Sequence, residues 1–417
     1  MAGVVGGCVR TLLGHQCTVM RSQIDGVLML TNALSPDKLG GLERYVRELS
    51  AHLVAKGVPV TVLTKQVHAD HPLEEIGSDG VRIVRQPVPD KSRRTFALQY
   101  PAYVALGTLR HTRGLGPGWI LHGHYALTSL PLVTTRRPYL YTFHAPVHKE
   151  ILSERGDSYA LPRPVQSAAV AAVRTAERFV VARATRSITL SRFMRSELAE
   201  LSATAAARSE VVAGGIDTDW FCPGPKLRSQ WAAPAAPLLF TARRLTGRTG
   251  VSELVEAMPE VLVHHPQAQL AIAGDGHLRD IIDRRIRQLG LDRSVVLLGR
   301  ISDVELRDWY RAADLVVTPT QELEGFGLST AEALAVGTPV LVTPVGANPE
   351  LVRELEPKLV AEGSSSADLA RGICQLVDQP ALLERVRRDA RAWAETRWSW
   401  DRVVDRHLEI YRDQVTR

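Results

Sequence analysis

The sequence predicts an α/β fold in which two Rossmann-like domains face each other across a cleft. Three observations support this prediction: short apolar runs alternate with segments of helical periodicity, the alternation restarts after a proline-rich stretch at 223–237, and the two blocks are similar in size. Strands that alternate with helices form βαβ units and a parallel sheet. Because ligands of such sheets bind beyond the carboxyl ends of the strands, the cleft is the expected site.

In the first block, GVLMLT (26–31) predicts a buried strand, and LGGLERYVRELSAHLVAKG (39–57) predicts a helix that two glycines open. Further strands are predicted at VPVTVLT (58–64), VRIVRQPV, WILHGH, PYLYTFHAP and RSITLS, with a long Ala/Val/Arg-rich helix after about residue 164.

The second block repeats the pattern. It predicts strands at LLFTARRL, AQLAIAGDG, VVLLGR, LVVTPT and PVLVTP, and helices at GVSELVEAMPEVLVHH, 278–289 and DVELRDWYRAADL. The tail WSWDRVVDRHLEIYRD (398–413) predicts an aromatic-rich amphipathic helix.

Composition is that of an ordinary globular protein: 45% of the 417 residues are apolar and 23% are charged. Four scattered cysteines without metal-ligand spacing favour a reduced, cytoplasmic protein, and no apolar run is long enough to span a membrane. The net charge of +6 fits a phosphate-bearing ligand or peripheral contact with an anionic membrane, while no nucleic-acid-binding motif is present. The oligomeric state stays open.

Several loops after predicted strands carry residues suited to an anionic ligand. Gly40 and Gly41 allow close backbone approach at a helix start, although a tight loop explains them equally well. Arg244 ends a strand and Arg248 follows it, and guanidinium groups match phosphate oxygens. The alternative is that these are two ordinary surface arginines in contact with solvent.

Three histidines also follow predicted strands. His144 ends one of them and is the stronger candidate, whereas His122 and His124 are weaker candidates. For each of them the alternative is a hydrogen-bonded loop histidine without a role in binding.

The run ELEGFGLSTAEALAVGTPV (322–340) contains two glutamates eight residues apart. Glu324 lies before a Gly-Phe-Gly turn, and Glu332 falls about one turn into the helix that follows. The amides of Phe326, Gly327 and Leu328 therefore lie near the positive end of a helix dipole, and both carboxylates can line one pocket. A solvated glutamate pair is the alternative, but the tight turn and the apolar helix favour a binding site.

Two other motifs are expected to be structural. Asp217 and Asp219 form a D-x-D pattern in a loop, and two loop carboxylates are too few for most oxygen-ligand metal sites. The AGDGH segment (273–277) lacks the complete G-x-G-x-x-G dinucleotide motif.

Over about residues 26–413 the chain resembles the retaining glycosyltransferases of family 4, which have the GT-B fold. The resemblance is strongest in EGFGLSTAEALAVGTPV with VGANPELV, and extends to the GG of LGGLERYV, SRFMRSEL, GGIDTDWF, LAIAGDGHLR, DLVVTPT and WSWDRVV. It implies an acceptor domain (26–220), a nucleotide-sugar domain (221–395) and a C-terminal helix (396–417) that returns to the N-terminal domain. The weakly apolar N-terminus, a poor secretory signal, is expected to be an extension (1–25), with Met20 as an alternative start.

The resemblance also implies roles for individual residues. Gly40 and Gly41 would place amides against the donor diphosphate, and Arg244 would neutralise the leaving group. His144 would contact the transferred sugar, and Glu324, beside the amides of Phe326, Gly327 and Leu328, would hold its hydroxyls. Glu332 would bind the ribose, with Arg300 and Asp303 near the base. No metal or other cofactor is expected, and no protein nucleophile.

Two positions depart from the family pattern. Thr249 stands where the family usually has a lysine, and Arg248 is the expected substitute. Gly214 stands where the family usually has an asparagine, which loosens a turn without removing a charge.

The expected activity is transfer of a sugar from a nucleoside-diphosphate sugar, UDP favoured over GDP, to a hydroxyl of a small molecule, lipid or glycan. The alternatives are an epimerase or phosphorylase-like enzyme and a non-catalytic nucleotide-sugar-binding protein. Phosphorolysis is disfavoured because no lysine suited to pyridoxal attachment lies between Lys226 and Lys358. The acceptor would contact the loops around 90–100, where Arg93 and Arg94 lie, LHGHYA and HAPVHKEIL.

Overall fold

The computed structural model describes residues 24–37, 40–89, 96–150, 163–226 and 236–416. The predicted N-terminal extension therefore lies almost wholly outside the described residues, as do Arg93 and Arg94. The described chain forms two sheets, each flanked by helices, which confirms the predicted α/β fold with two Rossmann-like units.

The N-terminal sheet has eight strands in the order β3-β4-β2-β1-β5-β6-β7-β8. All neighbours pair in parallel except β3 and β4 at one edge. The strands are β1 (Gly26–Leu30), β2 (Val60–Lys65), β3 (Glu74–Ile76), β4 (Arg82–Gln86), β5 (Trp119–Gly123), β6 (Leu140–Phe143), β7 (Arg186–Thr189) and β8 (Ser209–Val211).

The C-terminal sheet has five parallel strands in the order β11-β10-β9-β12-β13. The strands are β9 (Leu238–Ala242), β10 (Gln269–Ala273), β11 (Val295–Gly299), β12 (Leu315–Thr318) and β13 (Val340–Val342). The inner strands are buried along most of their length, as the continuous apolar runs predict.

The helices of the N-terminal half are α1 (Gly41–Ala55), α2 (Phe96–Thr112), α3 (Ala126–Ser129), α4 (Arg163–Arg183), α5 (Arg192–Leu201) and α6 (Ala203–Ala207). Those of the C-terminal half are α7 (Val251–His264), α8 (Arg279–Gln288), α9 (Asp303–Ala312), α10 (Leu328–Ala335), α11 (Asn348–Val352), α12 (Ser366–Val377), α13 (Pro380–Trp398) and α14 (Trp400–Val415). Short 3-10 turns lie at Leu130–Thr134, Gly247–Thr249 and Pro357–Leu359.

The structure corrects one expectation about the acceptor loops. Residues from Phe96 onward are not loop but the first turns of α2, whose apolar run was not recognised as a helix. None of the described helices is both long enough and apolar enough to span a bilayer.

The C-terminal helix α14 returns to the N-terminal domain, as the resemblance implies. Its Trp400 ring lies 5.5 Å from the ring of Tyr45 in α1, measured between centroids. The Tyr45 hydroxyl lies 3.2 Å from Nε2 of His407, and Lys56 pairs with two aspartates of the same helix. Apolar side chains from both sheets and from α14 belong to one contiguous buried cluster.

The strand order places the switch point of each sheet next to the cleft. In the N-terminal sheet the connections reverse direction between β1 and β5, and in the C-terminal sheet between β9 and β12. The chain leaves these strands at residues 31, 124, 243 and 319, so the loops that follow them border the crevice in which doubly wound sheets bind ligands.

Candidate active site

A cavity of about 580 Å³ lies between the two domains, at the carboxyl ends of both sheets. Most of the predicted site residues line it: Gly40, Gly41 and His144 from the N-terminal domain, and Arg244, Arg248, Asp303, Glu324, Phe326, Gly327, Leu328 and Glu332 from the C-terminal domain. Arg300 is not among the lining residues. Its side chain is 74% exposed, and its Nε lies 3.5 Å from a carboxylate oxygen of Asp275.

Two helices begin at the wall of this cavity. Gly40 is the N-cap of α1 and Gly327, with a φ of 94°, is the N-cap of α10; neither N-cap residue has a side chain that could cap its helix. A Cβ added to Gly41 would lie 3.6 Å from Cδ1 of Leu328, so the two starts face each other closely. Each helix N-terminus carries about half a positive charge. Together they make this part of the cavity favourable for an anion.

Arg244 lines the cavity. Its Nη2 lies 3.8 Å from the position of a Cβ on Gly40, which brings its guanidinium next to the start of α1. Arg248 also lines the cavity, and its Nη1 lies 3.4 Å from the carbonyl oxygen of Leu323. Two guanidinium groups and two helix starts therefore line one cavity, together with the carboxylate of Glu43, which lies closer to the start of α1 than Arg244 does.

Thr249 does not substitute for the cation that its position usually carries. The residue is buried, and its hydroxyl lies 2.6 Å from the carbonyl oxygen of Arg244 and 2.7 Å from that of Thr246. The hydroxyl thus stabilises the turn that carries Arg244 and Arg248.

Arg243 is a site residue that the sequence reasoning missed. Its Nη2 donates to Oε2 of Glu324 at 2.6 Å and to the hydroxyl of Thr320 at 3.0 Å, and its Nη1 donates to the hydroxyl of Ser329 at 3.2 Å. Its position beside Arg244 at a strand end was the available signal. Neighbouring residues there point to different sides, and the sequence does not tell which side faces the cavity.

Glu332 already has partners from both domains. Oε1 accepts from Nη1 of Arg44 at 2.8 Å, and Oε2 accepts from the hydroxyl of Tyr310 at 3.1 Å. Burial raises the pKa of Glu332, and the guanidinium of Arg44 opposes that shift. The pKa of Arg44 is in turn raised, mainly by Glu332, with Asp303 contributing. Neither Arg44 nor Tyr310 was expected, although Arg44 lies in the first turn of the helix after the two glycines.

The histidines of LHGHY and TFHAP meet at the other side of the cavity. His124 Nδ1 lies 3.2 Å from His144 Nε2, and burial lowers the pKa of both residues, that of His144 to about 3. His122 instead contacts Tyr411 and Thr142, each at 2.8 Å, and lies in the core. His124 and His144 therefore both line the cavity, whereas His122 belongs to the packing against α14.

Phe326 supports the turn between the glutamates. Its ring packs edge-on against Trp398 and lies so close to Gly214 that a Cβ there would stand 2.5 Å from Cδ1 of Phe326. The ring of Phe326 therefore leaves no room for a side chain at position 214, which explains why glycine stands there in place of the asparagine that the family usually has.

The two disfavoured motifs have structural roles. Asp217 Oδ1 accepts from the backbone amides of Asp219 at 3.0 Å and Trp220 at 2.8 Å, which stabilises the loop. In the GDG segment, a Cβ on Gly274 would stand 1.9 Å from the carbonyl oxygen of Arg243, so this glycine permits packing against the end of β9. Within the described ranges, no group of three or more His, Cys, Asp or Glu residues is arranged to hold a metal ion.

Two family models cover most of the chain. Residues 39–220 match "Glycosyltransferase Family 4" and residues 225–393 match "Glycosyl transferases group 1". A D-inositol 3-phosphate glycosyltransferase of Acidothermus cellulolyticus is 30% identical over 90% of this chain and 86% of its own length. A glycogen synthase of Mycobacterium tuberculosis is 27% identical over 92% of this chain and 94% of its own.

Solved structures with the same fold include a sucrose-phosphate synthase from Thermosynechococcus elongatus. The TM-score is 0.78 and the identity 22%, covering 93% of this chain and 98% of that one. Anabaena HepE, in complex with UDP and glucose, has a TM-score of 0.73 at 19% identity, covering 92% and 98%. These likenesses establish the GT-B fold, and the family models and the sequence relatives show that the chain belongs to the family 4, group 1 glycosyltransferases.

Proposed function

We propose that this glycosyltransferase moves a sugar from a nucleoside-diphosphate sugar, UDP favoured over GDP, to an acceptor hydroxyl with retention of configuration and without a metal. One observation carries the proposal. The starts of α1 and α10, whose N-caps are glycines, line the same cavity as Arg244, Arg248 and the carboxylates of Glu324 and Glu332. Such a site complements a diphosphate that is joined to two hydroxyl-rich groups.

In this proposal the diphosphate lies between the starts of α1 and α10, where Gly40, Gly41, Phe326, Gly327 and Leu328 supply amides. A leaving nucleoside diphosphate gains negative charge as the glycosidic bond breaks. Preorganised amides and guanidinium groups stabilise that charge. Arg244 and Arg248 therefore act as the catalytic cations, and a metal ion is not needed for this task.

The two carboxylates have separate tasks. Glu324 accepts hydrogen bonds from the sugar hydroxyls, and Glu332 accepts them from the ribose. Asp303, at the start of α9, contributes to the raised pKa of Glu332 and is assigned to the nucleoside side of the site, with Arg300 at its edge. His144 contacts the transferred sugar from the N-terminal domain.

Retention is proposed to follow same-face attack, in which the departing phosphate takes the acceptor proton. The oxygen of the acceptor forms the new bond to the anomeric carbon while the bond to the diphosphate breaks. The ion pair between Arg243 and Glu324 supports this route because a carboxylate that is held by a guanidinium is a weaker nucleophile. No step requires a covalent intermediate on the protein.

The acceptor is proposed to be a hydroxyl-bearing small molecule, lipid or glycan. The relatives' names include an inositol phosphate and glycogen, so the family resemblance alone does not select one class. The acceptor side is assigned to the N-terminal domain (26–220), the donor side to the C-terminal domain (221–395), and the segment 396–417 to a helix that completes the N-terminal domain. Tyr125 and Glu150 line the cavity on the acceptor side.

The first experiment incubates the protein with UDP-sugars and GDP-sugars and a panel of acceptors and measures nucleoside diphosphate release. We expect release that depends on an acceptor and persists in EDTA, with an anomeric configuration in the product that matches the donor by NMR. Isomerised donor without release would favour an epimerase. Binding without turnover across the panel would favour a non-catalytic binding protein, and loss of release in EDTA would contradict metal independence.

A further inference from the structure

His144 contacts a second buried histidine through its Nε2. His124 follows β5 and His144 follows β6, and the distance from His124 Nδ1 to His144 Nε2 is 3.2 Å. His124 is 1% exposed, and both histidines line the cavity. The ring of Tyr45 stands edge-on to His144 with 5.0 Å between the centroids, so His144 is held from two sides.

The groups around this pair have their hydrogen bonds elsewhere. His407 Nδ1 lies 2.7 Å from the carbonyl oxygen of Val403 and must therefore carry a proton, which makes its Nε2 the acceptor for the Tyr45 hydroxyl. Both nitrogens of His122 are engaged, with Tyr411 and Thr142. His124 Nε2 is buried and has no hydrogen-bond partner among the described residues.

Both histidines of the pair are neutral near pH 7. Burial lowers the pKa of His144 to about 3 and that of His124 well below its ordinary value, with the neighbouring histidines adding to the second shift. Each neutral ring has one N–H donor and one bare nitrogen acceptor. One proton therefore lies between the two nitrogens. It belongs either to Nδ1 of His124, which then donates, or to Nε2 of His144, which then donates.

The unpartnered Nε2 of His124 decides between them. If His124 accepted at Nδ1, its proton would stand on Nε2, as a buried N–H group without an acceptor. Orphaned buried N–H groups are rare and cost the full desolvation penalty. If His124 donates from Nδ1, its Nε2 is a bare acceptor, which is the smaller cost. The donor arrangement is therefore favoured.

We propose that His124 is a positioning residue that donates from Nδ1 to Nε2 of His144 and thereby fixes the proton of His144 on Nδ1. His144 Nδ1 makes no hydrogen bond to a described residue, so its N–H is available to a ligand in the cavity. Resting on the proposed function, this N–H donates to an oxygen of the transferred sugar. His144 then serves as a neutral hydrogen-bond donor and not as a general base.

The direct test measures which ring nitrogen of His144 carries the proton. Long-range ¹H–¹⁵N correlation spectra of protein labelled with ¹⁵N-histidine distinguish the two forms. The signals are assigned by their loss in His144→Gln. We expect a protonated Nδ1 and a bare Nε2 for His144 in the wild-type protein without any ligand. A protonated Nε2 would overturn the inference. Because no substrate is present, this result is independent of transferase activity.

Two variants of His124 test the consequence. His124→Gln retains an amide donor and should preserve the Nδ1–H form of His144, whereas in His124→Leu no donor holds the proton on Nδ1 and both neutral forms of His144 should be populated. We expect His124→Leu to lose about tenfold in kcat with a smaller change in donor KM, and His124→Gln to recover part of that loss. Equal kcat in both variants, with both folded by circular dichroism, would contradict the positioning role.

The two hypotheses fail separately. An Nδ1–H form of His144 in a protein that releases no nucleoside diphosphate would refute the proposed function alone. An Nε2–H form in an active enzyme would refute the role of His124 alone.

Discussion

Arg243 and Glu324 form an ion pair within the cavity wall, with Nη2 of the arginine 2.6 Å from Oε2 of the glutamate. Both side chains are nearly buried, 11% and 13% exposed. The hydroxyl of Thr320 donates to the same Oε2 at 3.2 Å, while Oε1 accepts no hydrogen bond from a described residue. The pair thus directs one oxygen of Glu324 to the protein and leaves the other for a hydroxyl of the ligand.

Arg243→Met should remove the charge while keeping most of the volume. Glu324 would then be an unpaired carboxylate in a largely buried place, and we expect a loss of about 3 kcal/mol in the free energy of unfolding. Urea denaturation measures this loss. The double variant Arg243→Met, Glu324→Gln should regain part of it, because no buried charge is left without a partner. A single variant as stable as the wild-type protein would show that the pair is not needed.

The ion pair between Arg44 and Glu332 joins α1 to α10 across the cleft. Arg44→Ala should destabilise the protein by about 1–2 kcal/mol, since Glu332 is buried but the arginine is 32% exposed and partly screened by solvent. In the same variant the pKa of Glu332 should rise further, because the opposing guanidinium is gone. We therefore expect nucleotide binding, followed by calorimetry, to weaken more at pH 6 than at pH 8.

Arg47 provides the matched control on the same helix. It pairs with Asp79 at 2.7 Å, and neither residue lines the cavity. Arg47→Ala should leave nucleotide affinity unchanged at both pH values. If Arg44→Ala and Arg47→Ala have the same affinities, Arg44 has no influence on the nucleotide site.

Much of the fold and of the candidate site could be predicted because these features are local in sequence. Gly40 and Gly41 lie between a strand and a helix, and Glu324 precedes a glycine turn and a helix. Such short patterns predict binding residues at a strand end without any knowledge of the tertiary structure. The contacts between distant segments could not be predicted this way. Arg44 and Glu332 are 288 positions apart, and their pairing depends on how the two domains pack.

Glu350 provides another such contact, at the edge of the cleft. Its carboxylate accepts from the backbone amides of Arg192 at 2.9 Å and Phe193 at 2.8 Å, so a side chain of α11 satisfies the first amides of α5 in the other domain. Glu350→Ala should cost about 1 kcal/mol in the free energy of unfolding, the typical cost of losing a helix cap.

Glu354 is the control for this contact. Its Oε1 lies 3.9 Å from Nη2 of Arg192, and its side chain is 66% exposed. Glu354→Ala should change the free energy of unfolding little, as is usual for an exposed pair. An equal loss in both variants would show that general surface charge, and not the cap, is responsible.

Stability should fall as the pH decreases below about 6.5. Burial lowers the pKa of His122, His124 and His407, that of His407 to about 4, so these rings stay neutral in the folded protein while the unfolded chain takes up protons. The unfolded state then binds more protons, and each such histidine lowers the free energy of unfolding by up to about 1.4 kcal/mol per pH unit. The loss continues down to the folded-state pKa values and then levels off for these groups.

Urea denaturation at pH 7.5 and pH 5.5 measures this dependence. His407→Asn should lower the stability at pH 7.5 and show a shallower decline to pH 5.5, because one proton fewer is taken up on unfolding. An identical decline in the variant and the wild-type protein would mean that His407 does not contribute.

The position of Thr249 leads to the last prediction. Arg244 and Arg248 are the cations proposed for the diphosphate, and Thr249 is turned to the backbone where the family usually has a lysine. We expect Arg248→Ala to reduce kcat almost as much as Arg244→Ala does, each by about 100-fold, since each variant removes a donor that stabilises the leaving group. Arg82→Ala, at the outer part of the N-terminal sheet, should have little effect and serves as the matched control.

A lysine at position 249 makes this prediction sharper. The double variant Arg248→Ala, Thr249→Lys should recover part of the lost kcat, because the cation returns to the place that the family pattern assigns to it. Loss of the Thr249 hydroxyl weakens the turn that carries Arg244, so the recovery should be incomplete and accompanied by lower thermal stability. Steady-state kinetics with saturating donor measures both variants. A silent Arg248→Ala variant would remove Arg248 from the proposed mechanism and leave the diphosphate to Arg244 and the two helix starts.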